Sequence, residues 1–197
     1  SINLNYDLIK GDMFQAYLDG LGVRRLRQIR HKYFSDKTRK LWSLCYAFFE
    51  KAEPYIKEVI TKDYDLKKIA AMVKTRIEVF PDIEEQLDFF NEVPKYDNAL
   101  YANKKSKIDP EKSLALLKDV LPLLEETTDY SNDALFALLS DYATKNELKT
   151  GYVMWPIRTA VSGKQMTPAG ATEIMELLGK EETIRRIKAG IDKLKNA

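Results

Sequence analysis

The helical organisation of this chain can be predicted outward from residues 149–179, KTGYVMWPIRTAVSGKQMTPAGATEIMELLG. The stretch contains two prolines, Pro156 and Pro168, and each has the context of a first helical residue. Proline suits the first helical turn because the N–H that it lacks has no helical partner there. The sequence therefore predicts one helix over residues 156–162 and a second helix over residues 168–178.

These predicted helices place two helix N-termini close together in the sequence. Gly163 ends the first helix, and Thr167, a residue type favoured as an N-cap, precedes the second. Helix N-termini carry free N–H groups and partial positive charge, so they bind anions. Arg158 would lie in the first turn, where the helix dipole disfavours a cation by ~0.3–1 kcal/mol. A residue that violates a local preference is a candidate functional residue. The alternative is an ion pair with a carboxylate such as Glu173.

The same stretch and the chain around it resemble a known family. Over about residues 50–194, roughly three-quarters of the chain, the sequence is similar to the C-terminal end of bacterial glutamyl-tRNA synthetases, which are class I aminoacyl-tRNA ligases. The motifs that carry the resemblance are Pro156-Ile157-Arg158, Ser162-Gly163, Thr167-Pro168, Leu178-Gly179-Lys180-Glu181 and Arg185-Arg186. Each motif alone is weak, and their combination is specific. The resemblance implies an anticodon-binding region.

The resemblance also implies which residues meet the RNA. The segment VKTRIEVFPDI resembles the helix and turn that reach the anticodon, and Arg76 matches an arginine that contacts the last anticodon base. A guanidinium can form two hydrogen bonds to a base edge. The alternative is a surface ion pair with Glu78 or Asp82. Further positions that match anticodon-facing residues of the family are Trp155, Arg158, Thr167, Pro168 and Gly170. Trp155 can stack on a base, or it can be a core tryptophan.

A basic segment lies nearer the start of the chain. Residues 23–40 contain eight Lys or Arg residues against one acid, Asp36, although the net charge of the whole chain is only +2. Such a separation favours a face that meets a polyanion, and a solvated helix face is the alternative. We expect backbone contacts to RNA from Arg24, Arg25, Arg27 and, in the later stretch, Lys164. The segment matches the family poorly, and a helix-turn-helix DNA reader is a weaker interpretation of it.

Helical periodicity dominates the rest of the sequence, and no segment shows sustained period-two alternation. The fold class is therefore predicted as all-α, with two small helical subdomains that form an anticodon-binding helical cage or bundle. A polar stretch with Pro94 and three lysines, Lys104, Lys105 and Lys107, indicates a boundary. The predicted subdomains are residues 1–105, which comprise a connector and the first anticodon-binding part, and residues 106–197.

Composition narrows the classes of protein further. Hydrophobic residues make up 45% and charged residues 31% of the chain, which is ordinary for a soluble globular protein. No run of 18 apolar residues predicts a membrane span, and the first residues do not resemble a signal peptide. Cys45, the single cysteine, excludes an internal disulfide and a cysteine-based zinc cluster, which fits a reducing cytosol. We expect a cytoplasmic monomer that has no membrane partner.

The sequence lacks the signatures of a catalytic site. It contains no P-loop, no Gly-x-Gly-x-x-Gly, no Gly-x-Ser-x-Gly and no zinc-binding constellation. By resemblance, a whole ligase would join glutamate to its tRNA with ATP and Mg²⁺ in an N-terminal catalytic domain. The signatures of that domain are absent here, so this chain is expected to hold no cofactor, metal or catalytic residue and to be inactive alone.

The sequence thus leads to two hypotheses of different classes. The first is recognition of the anticodon of a glutamate-accepting tRNA, with the catalytic domain of the same polypeptide as the second partner. The alternative is an all-α protein-interaction module without RNA specificity. That module would explain the amphipathic helices but not the placement of Arg158. Binding to glutamate tRNA compared with bulk RNA separates the two.

Overall fold

The computed structural model describes residues 36–74 and 76–196, with side chains from residue 48 onward, and this part of the chain is helical. Within these described residues, three helices are followed by a long connection and then by four more helices. In chain order they are α1 (Asp36–Val59), α2 (Leu66–Val73), α3 (Ile83–Leu87), α4 (Pro110–Glu126), α5 (Asn132–Lys145), α6 (Thr150–Ser162) and α7 (Ala171–Lys195). Short 3-10 turns cover Phe80–Asp82, Asp88–Phe90 and Asn98–Tyr101. The all-α prediction is confirmed, since the described residues contain no strand, only an isolated bridge between Asn103 and Ile108.

Local capping signals correctly predict several helix starts. The Asp65 carboxylate accepts hydrogen bonds from the N–H groups of Lys67 and Lys68, at 3.0 and 3.1 Å. The Asp109 carboxylate accepts from Lys112 N–H at 2.9 Å, and Pro110 begins α4 directly after it. These side chains satisfy donors that lack a partner in the first turn. Capping depends only on neighbouring residues, which is why the sequence shows it.

A proline in the first half of the chain does not have the role that its sequence context predicts. Proline suits a first helical turn, so the sequence predicts that Pro54 begins a second helix, but α1 runs through it without interruption. A proline inside a helix removes the hydrogen bond to the carbonyl four residues earlier, here that of Glu50. Glu50 and Tyr55 are exposed, so water can solvate the carbonyl that loses its partner.

Helices α1, α2 and α3 pack together, and α7 packs against α4, α5 and α6. Their shared core includes fully buried apolar side chains from both groups of helices. Among them are Ile56, Ile69, Leu87, Leu117, Leu135, Ile157 and Ile187. The 3-10 turn Asn98–Tyr101 contacts α4 and α6. The proposed boundary between residues 105 and 106 stays a prediction.

A buried arginine joins the two groups of helices. Arg186 on α7 is only 1% exposed. The apolar periodicity of residues 184–194 predicts the opposite, because it leaves Arg185 and Arg186 outside the buried face. Its guanidinium donates to three backbone carbonyls, those of Phe89 at 2.7 Å, Phe90 at 2.9 Å and Val161 at 2.6 Å. Its Nε also donates to Glu182 at 2.7 Å. The prediction of an exposed Arg186 is wrong because these acceptors come from distant parts of the chain.

Two arginines and a lysine surround the Glu182 carboxylate at this junction. Arg185 donates two hydrogen bonds to its carboxylate, each 2.7 Å long, Arg186 donates another, and Lys62 lies 3.5 Å away. The two hydrogen bonds from Arg185, followed by the one from Arg186, lower the pKa of Glu182 to about 2. Because the pKa is depressed in the folded protein, the charged carboxylate stabilises the fold above its unfolded pKa.

Acid should therefore weaken the fold in a defined window. The stabilisation from Glu182 is present above about pH 4.5 and is lost as the pH falls towards about 2. We expect Glu182→Gln to lower the free energy of unfolding by about 2 kcal/mol at neutral pH. This value already allows for screening by the solvent that Glu182 contacts. Urea titrations at pH 7, 5 and 3 of both proteins measure the difference, which should shrink at the lowest pH. If the difference in unfolding free energy did not depend on pH, it would not come from the charged Glu182 carboxylate.

In the part of the chain that the structure describes, no helix is both long and apolar enough to cross a membrane.

Candidate nucleic-acid interface

The connecting loop, residues 163–170, joins α6 to α7 and is the centre of the candidate site. Gly163 ends α6 in the left-handed region, with φ 64°, and its N–H donates to Thr159 O at 2.8 Å. At the other end, Gly170 N–H donates to the Glu173 carboxylate at 2.8 Å. Glu173 thus satisfies a free donor at the start of α7. Both ends of the connecting loop are therefore fixed by local hydrogen bonds.

The structure overturns the predicted pair of neighbouring helix N-termini. Pro156 is the seventh residue of α6 rather than its first, and Pro168 precedes α7, which begins at Ala171. Arg158 consequently lies in the second half of α6, away from its N-terminus. An internal proline costs about 3 kcal/mol in a helix. Fully buried Val153 and Ile157 in the same helix offset that cost, and no local signal shows this packing.

Arg158 is half-buried and held from two sides. Its Nη2 donates to Gln165 O at 2.9 Å, and its guanidinium carbon lies 4.6 Å from the centroid of the Trp155 ring. Burial lowers the pKa of the Arg158 guanidinium. Its Nε is buried and has no hydrogen-bond partner among the described residues. Buried unpartnered polar groups are uncommon in folded proteins. The alternative interpretation, an ion pair with a carboxylate such as Glu173, does not hold, since no carboxylate pairs with Arg158 in the described chain.

Trp155 is partly buried and anchored at its polar edge. The indole Nε1 donates to Leu100 O at 3.0 Å, which connects α6 to the 3-10 turn Asn98–Tyr101. One ring face carries the Arg158 guanidinium within cation–π distance. The ring also lines two surface clefts, so Trp155 is neither a fully buried core residue nor a freely exposed one.

Two clefts meet at the connecting loop. The Trp155 cleft, about 510 Å³, is lined by Ala102, Asn103, Lys104, Lys105, Trp155, Arg158, Gln165 and Met166. The Arg76 cleft, about 700 Å³, is lined by Arg76, Glu85, Gln86, Asp88, Pro94, Gly163, Lys164, Gln165, Met166 and Thr167. Gln165 and Met166 belong to both clefts, and Met166 is 77% exposed. Met166 therefore stands on the ridge between them. A third cleft, about 430 Å³, adjoins the Trp155 ring on the side of Tyr96.

Arg76 projects from the segment that follows α2. Its backbone N–H donates to Val73 O at 2.8 Å, and its side chain is exposed. The alternative ion pair with Glu78 or Asp82 does not form in the described chain. Asp82 instead accepts hydrogen bonds from the N–H groups of Glu78 and Val79 at 3.0 and 3.1 Å. No described carboxylate therefore pairs with the Arg76 guanidinium, which can bind a ligand in its cleft.

The predicted site residues fall into three groups. Arg76 and Thr167 line one cleft, and Trp155 and Arg158 line the other. Thr167 is buried, and its hydroxyl donates to Ala169 O at 2.6 Å instead of capping a helix. Pro168 is buried, and Gly170 is exposed at the start of α7. Neither Pro168 nor Gly170 lines the Trp155 or the Arg76 cleft.

Lys164 is already engaged within the protein. Its ammonium forms an ion pair with Asp88 at 2.6 Å and also donates to Glu85 O. Lys164 thereby ties the connecting loop to the 3-10 turn Asp88–Phe90. Its suggested role in contacting an RNA backbone stays a prediction.

Sequence reasoning missed several lining residues. Gln165 and Met166 have no distinctive local pattern, and only the bend of the loop places them on the ridge. Lys104 and Lys105 are visible in the sequence as part of a lysine cluster, but that cluster by itself indicates a subdomain boundary and not a cleft. Arg24, Arg25 and Arg27 lie outside the described residues. Within the described part, no group of three or more His, Cys, Asp or Glu side chains is arranged to hold a metal ion.

The chain belongs to the anticodon-binding domain family. The model of that family, described as "Anticodon binding domain", matches residues 47–191. This range contains α2 to α6, both clefts and the connecting loop.

Known relatives point to one kind of enzyme. A glutamate–tRNA ligase from Lachnoclostridium phytofermentans is 57% identical over 150 residues, which cover 76% of this chain and 31% of that protein. The glutamate–tRNA ligase of Clostridium tetani is 47% identical over 165 residues, covering 84% of this chain and 34% of that protein. The chain thus spans about a third of the length of these relatives.

Solved structures agree with this placement. A crystal structure of a glutamate tRNA ligase from Elizabethkingia meningosepticum, in complex with its amino acid, matches with a TM-score of 0.65 at 25% identity. The match covers 82% of this chain and 33% of that chain. The resemblance noted in the sequence is confirmed.

Proposed function

We propose that this chain recognises the anticodon loop of a glutamate-accepting tRNA as the anticodon-binding part of a glutamate–tRNA ligase. Membership of the anticodon-binding domain family and the relatives' names support the assignment. The observation that carries it is the pair of clefts on either side of Met166, each lined by an arginine without a carboxylate partner in the described chain.

The chemistry of these clefts suits unstacked bases. A single-stranded loop is recognised by stacking on aromatic or guanidinium planes and by hydrogen bonds to exposed base edges. Trp155 and Arg158 together form a stacked pair at one cleft. Arg76 can direct its planar fork of donors into the other cleft, a geometry that lysine lacks. The ridge at Met166 separates two neighbouring bases.

The whole ligase would supply the remaining parts. In this proposal, ATP and Mg²⁺ bind to a catalytic domain outside this chain, and the same polypeptide carries both domains. Glutamate transfer to tRNA is the reaction of that domain, while the present residues select the tRNA. We also propose that the protein acts in the cytoplasm as a monomer.

The decisive experiment compares two arginine variants on two RNAs. We expect Arg76→Ala and Arg158→Lys each to weaken binding to the glutamate anticodon stem-loop by roughly 10–100-fold. Binding to a stem-loop with altered anticodon bases should weaken much less, because base-edge contacts are lost and phosphate contacts remain. Fluorescence titrations measure both affinities. Arg158→Lys keeps the charge but not the bidentate geometry, and thereby limits damage to the connecting loop.

The binding result for the Arg76 variant is the easier of the two to interpret, because the substitution should not affect stability. Its side chain is exposed and forms no ion pair in the described chain, so Arg76→Ala should leave the thermal unfolding midpoint unchanged. Lys118→Gln, an exposed cation on α4 outside the clefts, serves as the control. Equal losses on both stem-loops, or no loss on either, would remove the arginines from base recognition.

A further inference from the structure

A compact basic turn lies beside the Trp155 cleft. We define the basic turn as residues 103–108, which the isolated bridge between Asn103 and Ile108 closes. Asn103 N–H donates to Ile108 O at 2.8 Å, and Ile108 N–H donates back to Asn103 O at 3.2 Å. The Asn103 side chain also accepts from Ser106 N–H at 3.0 Å. Lys107 adopts a positive φ of 54° within this turn. The backbone of the basic turn is therefore held in one conformation.

Contacts with the rest of the protein fix the position of the turn. The Ser106 hydroxyl donates to Gly151 O in the first turn of α6, at 3.3 Å. Ile108 is only 4% exposed and anchors the C-terminal end. The turn is thus fastened to the helix that carries Trp155 and Arg158. Its position relative to those side chains is set by the fold.

The three lysines of the turn are exposed and form no ion pair with any described residue. They are Lys104, Lys105 and Lys107. By contrast, Lys112, the next lysine along the chain, is paired with Asp109 at 2.8 Å. Three uncompensated cations within four residues repel one another. A bound polyanion would relieve that repulsion.

Charge also distinguishes the two clefts. The Trp155 cleft is lined by Lys104, Lys105 and Arg158, and no carboxylate is among its lining residues. The Arg76 cleft contains Glu85 and Asp88 against its own two cations, Arg76 and Lys164. Phosphate groups are therefore favoured on the side of the Trp155 cleft. The Arg76 cleft suits the uncharged edge of a base.

We propose that the basic turn binds the phosphate backbone of the RNA strand whose bases enter the Trp155 cleft. This inference rests on the proposed function, which it deepens by assigning the path of the strand. Lys104 and Lys105 contact phosphates at the cleft, and Lys107 extends the positive surface. Lysine suits this role because its ammonium neutralises charge without selecting a base.

The test is the salt dependence of RNA binding by the 197-residue chain. For single strands, each phosphate contact contributes about 0.7 to the slope of log affinity against log salt. The double variant Lys104→Gln, Lys105→Gln should therefore have a slope smaller by about 1.4. Its affinity deficit relative to the unmodified chain should shrink about sevenfold between about 50 and 200 mM salt. The deficit should be equal on the glutamate anticodon stem-loop and on the altered stem-loop.

Two controls separate phosphate contact from other effects. Lys118→Gln with Lys145→Gln removes the same net charge from exposed positions outside the three clefts, and should leave the slope unchanged. Lys104→Arg with Lys105→Arg keeps the charges and should restore the slope. Unchanged thermal unfolding of all variants establishes that the fold is intact.

The outcomes also separate this inference from the proposed function. An unchanged slope for the double glutamine variant would overturn the phosphate contact, and so would a loss confined to one stem-loop. Neither result affects the discrimination between stem-loops by the unmodified chain. If the unmodified chain does not distinguish the two stem-loops, the proposed function fails instead.

Discussion

Arg186→Met should destabilise the protein by about 3–5 kcal/mol, the largest stability effect that we expect from a single substitution. Methionine matches much of the volume of arginine but donates no hydrogen bond. The carbonyls of Phe89, Phe90 and Val161 would lose their donor, and Arg186 is 1% exposed, so water has no ready access. A buried polar group left without a partner costs about 1–3 kcal/mol.

Urea and thermal unfolding followed by circular dichroism measure this loss. For a protein of this size the midpoint should fall by roughly 2–4 °C per kcal/mol. Arg185→Met is the matched control, because Arg185 binds the same Glu182 carboxylate from a side chain that is 61% exposed. We expect the control to cost at most about 1 kcal/mol. Similar losses for the two variants would show that the carbonyl contacts of Arg186 contribute little.

The same substitution should also affect RNA binding. Arg186 holds the end of α6, at Val161, against Phe89 and Phe90. The connecting loop follows α6 directly. Asp88, which begins the 3-10 turn that contains Phe89 and Phe90, lines the Arg76 cleft. Loosening the junction therefore moves the two walls of that cleft relative to each other. Affinity for the glutamate anticodon stem-loop should fall in Arg186→Met even at temperatures at which the protein stays folded.

Gly163→Ala should have the second-largest effect and lower the free energy of unfolding by roughly 2–4 kcal/mol. Gly163 has φ 64°, where an L side chain is strained. A Cβ at this position would lie 2.7 Å from a Val93 methyl, 2.9 Å from the Tyr96 ring and 3.1 Å from Pro94 O. The backbone oxygen cannot move aside as a side chain can. Steric overlap therefore adds to the conformational strain.

Gly151→Ala, in the first turn of the same helix, is the control for this substitution. Its Cβ would meet only the Ser106 hydroxyl at 3.5 Å, an ordinary van der Waals distance, and its φ is not positive. We expect Gly151→Ala to be neutral or slightly stabilising, because alanine favours the helix. Chemical denaturation distinguishes the two variants. If Gly163→Ala were as stable as Gly151→Ala, the close approach of residues 93–96 to the end of α6 would be disproved.

Gly163→Ala should also impair binding at both clefts. Gly163 begins the connecting loop and lines the Arg76 cleft. Displacement of the loop would shift Gln165, whose carbonyl accepts the hydrogen bond from Arg158. We expect weaker binding to the glutamate anticodon stem-loop and reduced discrimination against the altered stem-loop. Gly151→Ala should retain both properties.

Short-range features of this protein could be predicted from its sequence. The helical class and the caps at Asp65, Asp109 and Ser131, whose side chain accepts from Ala134 N–H, follow from residues within one or two turns of each other. The interruption of α7 at Gly179, where the backbone leaves the helical region with φ 74°, is likewise a local effect. Arg76 is a candidate only through the resemblance to a family, since spacing alone favours an ordinary ion pair. Arg158 is a candidate also because the sequence predicts it in a first helical turn, which the structure does not bear out. Local preference misplaced the helix starts at Pro54 and Pro156.

Only the tertiary structure decided the burial of Arg186 and the composition of the clefts. The carbonyl acceptors of Arg186 lie 97, 96 and 25 residues away in the chain, so no periodic pattern could reveal them. Thr167 and Arg76 likewise line one cleft from opposite halves of the described chain. Local sequence determined the helical class and those helix boundaries that a cap or a glycine sets. Packing of distant segments determined which charged side chains are buried and which face a cleft.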